Sequence, residues 1–178
     1  IFNEGLSKRK AIYVSYPQAV PLKYVIDPIK CIKLTKDKCG ICAKVCPTGA
    51  INYEDTETHI TLNVGSVIMA AGFKPFDPSG LDNYQYANFS NVVTSIEYER
   101  LLSAGGPTTG HIECYPDKHA PQKIAWLQCV GSRDQNKCDN AYCSSVCCMY
   151  AVKEAMMTKD HIDGEFQASI FLMDMRTF

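Results

Sequence analysis

All but one of the ten cysteines in this 178-residue chain fall into two groups whose spacing suits thiolate ligation. The first group is Cys31, Cys39, Cys42 and Cys46, with Pro47 directly after the last. A cubane iron–sulfur cluster needs four thiolates converging on four irons, and close cysteine steps let one tight loop supply corner after corner. Gly40 lets backbone N–H groups turn toward the sulfides, and Pro47 ends the loop where no further N–H is wanted. Lys33, Lys36, Lys38 and Lys44 lie around the run and could offset the cluster's negative charge. Structural zinc also uses C-x₂-C steps, but it usually pairs two of them across a dozen or more residues. Here Cys39, Cys42 and Cys46 crowd together, and iron–sulfur chemistry is the better reading.

The second group is Cys129, Cys138, Cys143, Cys147 and Cys148. Cys129 closes an apolar run, KIAWLQCV, that reads as a strand. A helix is expected at about 144–159, which puts Cys143 at its N-terminal boundary and Cys147 one turn above on the same face. A cluster resting there would have its negative charge favoured by the helix dipole. Free cysteines are often just small buried hydrophobes. Two adjacent cysteines with a third four residues earlier are hard to explain as packing. Five candidates for four sites leave one spare.

These groups need elements to hold them. Residues 11–26 contain a short β-rich run, then prolines that forbid a long regular element. Residues 51–63 alternate like a hairpin around the polar turn EDTET. Residues 64–70 read as a buried strand ending on Ala71-Gly72, before the Pro-rich loop KPFDPSG. A helix is expected at about 95–103, with Thr94 and Glu97 as a capping box and Gly105-Gly106-Pro107 as the stop. The strand 123–130, the helix with the second cysteine group, and a last strand, ASIFLMDM, describe one βαβ crossover with parallel strands. Trp126 and Tyr98 fit core positions, whereas Lys153 and Glu154 are expected on an exposed helix face. His59, His111, His119 and His161 show no ligand spacing, and Cys114 reads as an ordinary thiol.

A formal charge of −1 gives no sign of a nucleic-acid partner, and the longest apolar stretch is Gly-broken and too short to span a bilayer. The chain begins at Ile1 without a basic-then-apolar leader, so a cytoplasmic location without membrane insertion is expected. Ten cysteines would also suit a disulfide-stapled secreted domain, but the length and apolar content need no staples. In a reducing compartment clustered cysteines are more often metal ligands. Acid–base catalysis is not expected.

The tail CPTGAI is the pattern of bacterial-type ferredoxins, so the first segment resembles half of one. In two-cluster ferredoxins the cysteine before the proline serves the partner cluster. With no second such motif here, Cys31 is expected to fill the gap and Cys46 to close the same cluster. The stretches QCVGSRD, YCSSVCCMYAVKEA, VVTSIEYERLLSAGGPTTG and YPQAVPLKYVIDPIKC resemble the A subunit of heterodisulfide reductase and its relatives. Those relatives include the homologous subunit of quinone-interacting oxidoreductase complexes.

The resemblance covers nearly the whole chain, and it implies an α/β fold. That fold is part of a thioredoxin-reductase-like flavoprotein with two dinucleotide-binding domains and an inserted ferredoxin-like segment. It divides the chain into a flavin-domain segment (1–27), the inserted 4Fe–4S segment (28–56), the rest of the flavin domain with a linker (57–122), and the start of a second Rossmann-like domain (123–178). It implies that Ala70, Ala71 and Gly72 approach FAD, with Ala71 where the family usually has Thr. It implies a second 4Fe–4S cluster on Cys129, Cys143, Cys147 and Cys148, with Cys138 spare. Cysteines stand where a G-x-G-x-x-G phosphate loop would be, so this half is expected to have exchanged a nicotinamide for a cluster.

The first FAD fingerprint is absent, so the chain is expected to be a piece of a longer or split polypeptide. The implied role is that of an electron-transfer oxidoreductase subunit. Its partners would be other subunits of a heterodisulfide-reductase-type complex and an electron-donating hydrogenase or dehydrogenase subunit, in some complexes with flavin-based bifurcation. The rival from another class is a zinc-stabilised interaction module without redox activity.

Overall fold

The computed structural model describes residues 2–115 and 117–177. They divide into two compact units, one of Arg9–Phe73 and one of Ile1–Lys8 with Lys74–Phe178. The chain is a mixed α/β protein, and its elements are short.

In the unit Arg9–Phe73, β1 (Ile12–Tyr13) pairs antiparallel with β2 (Val25–Ile26). The loop between them carries the prolines that keep both strands short, as the sequence suggests. Two one-turn helices follow, α1 (Ile32–Lys36) and α2 (Ile41–Val45). No described residue of this unit is buried. Ile32, Ile41 and Val45, which would be core residues in a self-sufficient domain, are 55 %, 60 % and 70 % exposed. Among the described residues no buried apolar side chain holds these helices together.

The expected hairpin at 51–63 is not formed, nor is the expected buried strand at 64–70. Residues 54–73 are all exposed and carry no helix or strand, and Ile68 is 90 % exposed. The physical reason is partnership. An apolar extended run becomes a strand only when a neighbour accepts its N–H and C=O groups and a layer covers its side chains. No described strand of this unit lies beside it.

The other unit has a true core. α3 (Ser95–Leu102) begins at a capping box: the Glu97 N–H donates to Thr94 Oγ1, and the Thr94 N–H and hydroxyl both donate to the Glu97 carboxylate. It stops at Ser103. Gly106 then packs so closely that a Cβ there would collide with the Arg100 carbonyl oxygen, so no side chain fits. β3 (Lys123–Leu127) and β4 (Gln167–Phe171) pair in parallel, Lys123 opposite Gln167 and Leu127 opposite Phe171. Between them come α4 (Gln135–Cys138) and the long α5 (Cys147–His161). This is the expected βαβ crossover, with its helix starting three residues later than the sequence pattern suggests.

Tyr98, Leu101 and Leu102 of α3 meet Trp126 of β3 and Ala151 of α5 in the core, with Ile112 from the intervening loop. Tyr98 and Trp126 touch edge to face, their ring centres 5.7 Å apart. Both core expectations therefore hold. Glu154 does not follow its expectation: it is buried, at 6 % exposure, while Lys153 is exposed. Ala151 and Thr158, three before and four after it, are fully buried, so Glu154 lies on the same inward row.

Candidate metal centres

The first cysteine group is positioned from β2 onward. Arg9 pairs with Asp27 at 2.8 Å, and its guanidinium lies 3.6 Å from the centre of the Tyr13 ring. The second Asp27 oxygen accepts the N–H groups of Ile29 and Lys30, and the Asp27 carbonyl accepts the N–H of Cys31. The Arg9 hydrogen bond, helped by those backbone donors, holds the Asp27 carboxyl below its ordinary range. Asp27 thus sets the turn that delivers Cys31 to the N-cap of α1.

α1 ends at Asp37, paired with Lys33 one turn before. Cys39 and Gly40 both take positive φ, at 82° and 97°, and reverse the chain into α2, which carries Cys42. Gly40 does this without strain; Cys39 does not. Cys46 caps the far end of α2. Its sulfur lies 3.4 Å from Thr48 Oγ1 and faces the backbone N–H groups of Ala50, Thr48 and Gly49; these donors, the Thr48 hydroxyl first, hold the thiol below its ordinary range. The Tyr53 phenol is pushed up by burial, with the Cys42 and Cys31 thiolates adding to the effect, so its hydroxyl has both cysteines as neighbours.

The second group sits where β3 leaves its sheet and α5 begins. Cys129, two residues beyond β3, takes a φ of 63°, and Gly131 follows at 75°. Cys147 and Cys148 are the first two residues of α5. Cys143 does not sit on that helix, contrary to the expected one-turn stacking: it lies in the preceding loop, where its sulfur accepts the Ser145 N–H at 3.4 Å. A positive φ at Ser145 breaks the helical path between them. No side chain caps the start of α5, so its first N–H groups are unclaimed by any N-cap side chain. Cys148 is buried, and the other cysteines of this group are half-buried. Cys138, on α4, turns its thiol toward Asp134; burial pushes that thiol up, and the Asp134 charge adds to it.

Among the described residues no three Cys, His, Asp or Glu side chains converge closely enough to hold a single metal ion. Cysteine thiolates are the donors that a 4Fe–4S cluster takes. Four of them lie within residues 31–46, with N–H groups turned toward Cys46, and two more open an uncapped helix N-terminus. Ala70, Ala71 and Gly72 are exposed and irregular, and a Cβ on Gly72 would meet nothing within 4 Å.

Residues 37–52 match the 4Fe–4S binding domain family. The chain is 44 % identical over 177 residues to the iron–sulfur A subunit of the CoB–CoM heterodisulfide reductase of Methanocaldococcus jannaschii. Over nearly its whole length this chain is similar to heterodisulfide reductase A subunits. It is 45 % identical to the A subunit of the H₂/formate:CoB–CoM heterodisulfide,ferredoxin reductase of Methanococcus maripaludis, and 37 % identical to the A subunit of the ferredoxin:CoB–CoM heterodisulfide reductase of Methanosarcina mazei. Each match covers 98–99 % of this chain. The chain spans only 21–26 % of the length of these relatives, all of them oxidoreductase subunits by name. No helix among the described residues is long and apolar enough to cross a membrane.

Sequence reasoning missed Asp27, Thr48 and Tyr53 around the first group. Asp27-Pro28 is an Asx-turn signature that could have flagged the first. Thr48, two residues after Cys46, follows the short-range side-chain pattern of such turns.

Proposed function

We propose that this chain is the iron–sulfur portion of a heterodisulfide-reductase-type electron-transfer subunit. Cys31, Cys39, Cys42 and Cys46 would hold one 4Fe–4S cluster, and Cys129, Cys143, Cys147 and Cys148 a second, with Cys138 outside the ligand set. The clusters would supply one-electron transfer. The chain's own residues hold the thiolates, aim N–H donors at the sulfurs and keep water partly away. Electrons would come from and pass to protein partners: other heterodisulfide-reductase-type subunits, with the donor a hydrogenase or dehydrogenase subunit, in the cytoplasm.

The βαβ unit is read as the start of a second dinucleotide-binding-like domain in which the cluster stands at the phosphate position. Residues 70–72 belong to a flavin site only together with further polypeptide, and no step here is assigned to FAD. The observation that carries this reading is the match of residues 37–52 to the 4Fe–4S binding domain family, in a loop where four hydrogen-bond donors face one cysteine sulfur.

The test is anaerobic purification with iron and acid-labile sulfide counting, repeated on Cys147→Ala and Cys138→Ala. About eight irons are expected, falling to about four with Cys147→Ala and unchanged with Cys138→Ala. Zinc without iron would overturn the electron-transfer reading and favour a structural module.

A further inference from the structure

Glu154 is 6 % exposed, yet among the described residues its carboxylate meets a single side-chain donor, the Trp126 indole N–H at 2.9 Å. A buried carboxylate ordinarily has a cation or several N–H donors. Among the described residues no Lys or Arg pairs with this one. From α3 it is faced by Tyr98 and Glu99, from β3 by Trp126, and along its own helix by Tyr150; β4 contributes no titratable group. The Tyr98 hydroxyl is already engaged by Thr158 at 2.6 Å, and its phenol is pushed up to about 12 by burial, so it stays neutral. Glu99 opposes a second negative charge. Every neighbour is therefore neutral or repulsive, and burial moves the carboxyl up to about 7.

The position matters as much as the environment. Glu154 lies on α5 six and seven residues after Cys148 and Cys147, on an unbroken helix. At a rise of ~1.5 Å per residue that is ~9–10.5 Å along the axis. Ala151, between them on the inward row, is fully buried, so on that face of α5 the stretch between them is shielded from solvent at its middle.

We infer that Glu154 is the proton acceptor that balances charge when an electron reaches a cluster held at Cys147 and Cys148. One proton from solvent joins the Glu154 carboxylate as a low-potential one-electron donor delivers one electron, and the net charge of the core is unchanged. Glu154 touches no thiol; it acts through the field, and is a positioning group for charge. The inference rests on the ligand set proposed above.

The test uses the intact protein, purified anaerobically, with the second cluster followed by electron paramagnetic resonance in redox titrations from about pH 6 to about pH 8.5. Above about pH 7, where the carboxyl is ionised before reduction, the midpoint is expected to fall with pH, approaching a tenfold change in the reduction equilibrium per pH unit, ~59 mV for one electron, and to level off below that. Glu154→Gln keeps the bond from Trp126, because the carboxamide oxygen accepts it, and is expected to flatten the slope. A reduced-minus-oxidised infrared spectrum is expected to show a protonated carboxyl band that Glu154→Gln lacks. A second-cluster potential independent of pH, or a slope and band that survive Glu154→Gln, overturns the inference and leaves the cluster standing. An iron content unmoved by Cys147→Ala removes the ligand set, and the inference with it.

Discussion

Arg9 Nη2 lies 2.8 Å from Asp27 Oδ2, four residues ahead of the first cysteine of the first group. The pair joins the chain just before β1 to the residue just after β2 and fixes the carboxylate that caps the turn into Cys31. Asp27→Ala removes the Arg9 bond and two backbone caps at once. It is expected to lower iron affinity at the first site by about tenfold, the lower end for losing a group that orients a ligand. Competition with an iron chelator, followed by the loss of visible absorbance, reads this directly. An unchanged release rate would mean that the turn holds without Asp27.

Thr48 acts on the cysteine at the other end of the loop. Hydrogen bonds to cluster sulfurs favour the more negative, reduced state and raise its potential. Thr48→Val removes the hydroxyl 3.4 Å from the Cys46 sulfur and keeps the backbone donors. A more negative midpoint for the first cluster is expected, with iron content unchanged. Lost iron would instead mark Thr48 as necessary for assembly.

No described residue between Arg9 and Phe73 is buried, so little apolar burial opposes the entropy of this segment. When ligand thiolates are the main cross-links, metal binding and folding are one equilibrium. Removing iron with a chelator is expected to raise amide hydrogen exchange throughout α1 and α2 to near the unfolded rate. Protection in α3 and in β3 with β4 is expected to persist, since these pack on a core of Tyr98, Leu101 and Trp126. Uniform protection after chelation would contradict this.

Glu154 also carries a stability signature. Its folded pKa, about 7, stands above the ordinary glutamate value of 4.5 because ionising it in the core is costly. A raised folded value means that the stabilisation is complete below about pH 4.5 and is lost as pH rises through about 7. A shift of that size corresponds to up to about 3 kcal/mol between the two limits. Urea midpoints of the wild type are expected to fall from about pH 5 to about pH 8.5, and those of Glu154→Gln to stay level over the same range. Parallel curves would show that the carboxyl titrates as it does in water.

What was legible in the sequence was local. The Thr94–Glu97 capping box and the crowding of Cys39, Cys42 and Cys46 ahead of Pro47 follow from interactions within a few residues, whatever surrounds them. The parallel pairing of β3 with β4 is long-range, but the strand–helix–strand order along the chain announces it. What failed depended on neighbours. Residues 64–70 have the apolar pattern of a buried strand, but a strand exists only beside another, and among the described residues none is offered to it. Helical periodicity puts Cys143 on a helix that in fact begins four residues later, because a positive φ at Ser145 turns the chain first. Glu154 has the chemistry of a surface residue, and only the packing of α3 and β3 against α5 makes it a buried acid beside Trp126. Spacing along the chain determines which groups can act together. The low dielectric and the missing counter-charge that set how Glu154 behaves belong to the tertiary structure, because both are properties of what lies around a side chain and not of its place in the sequence.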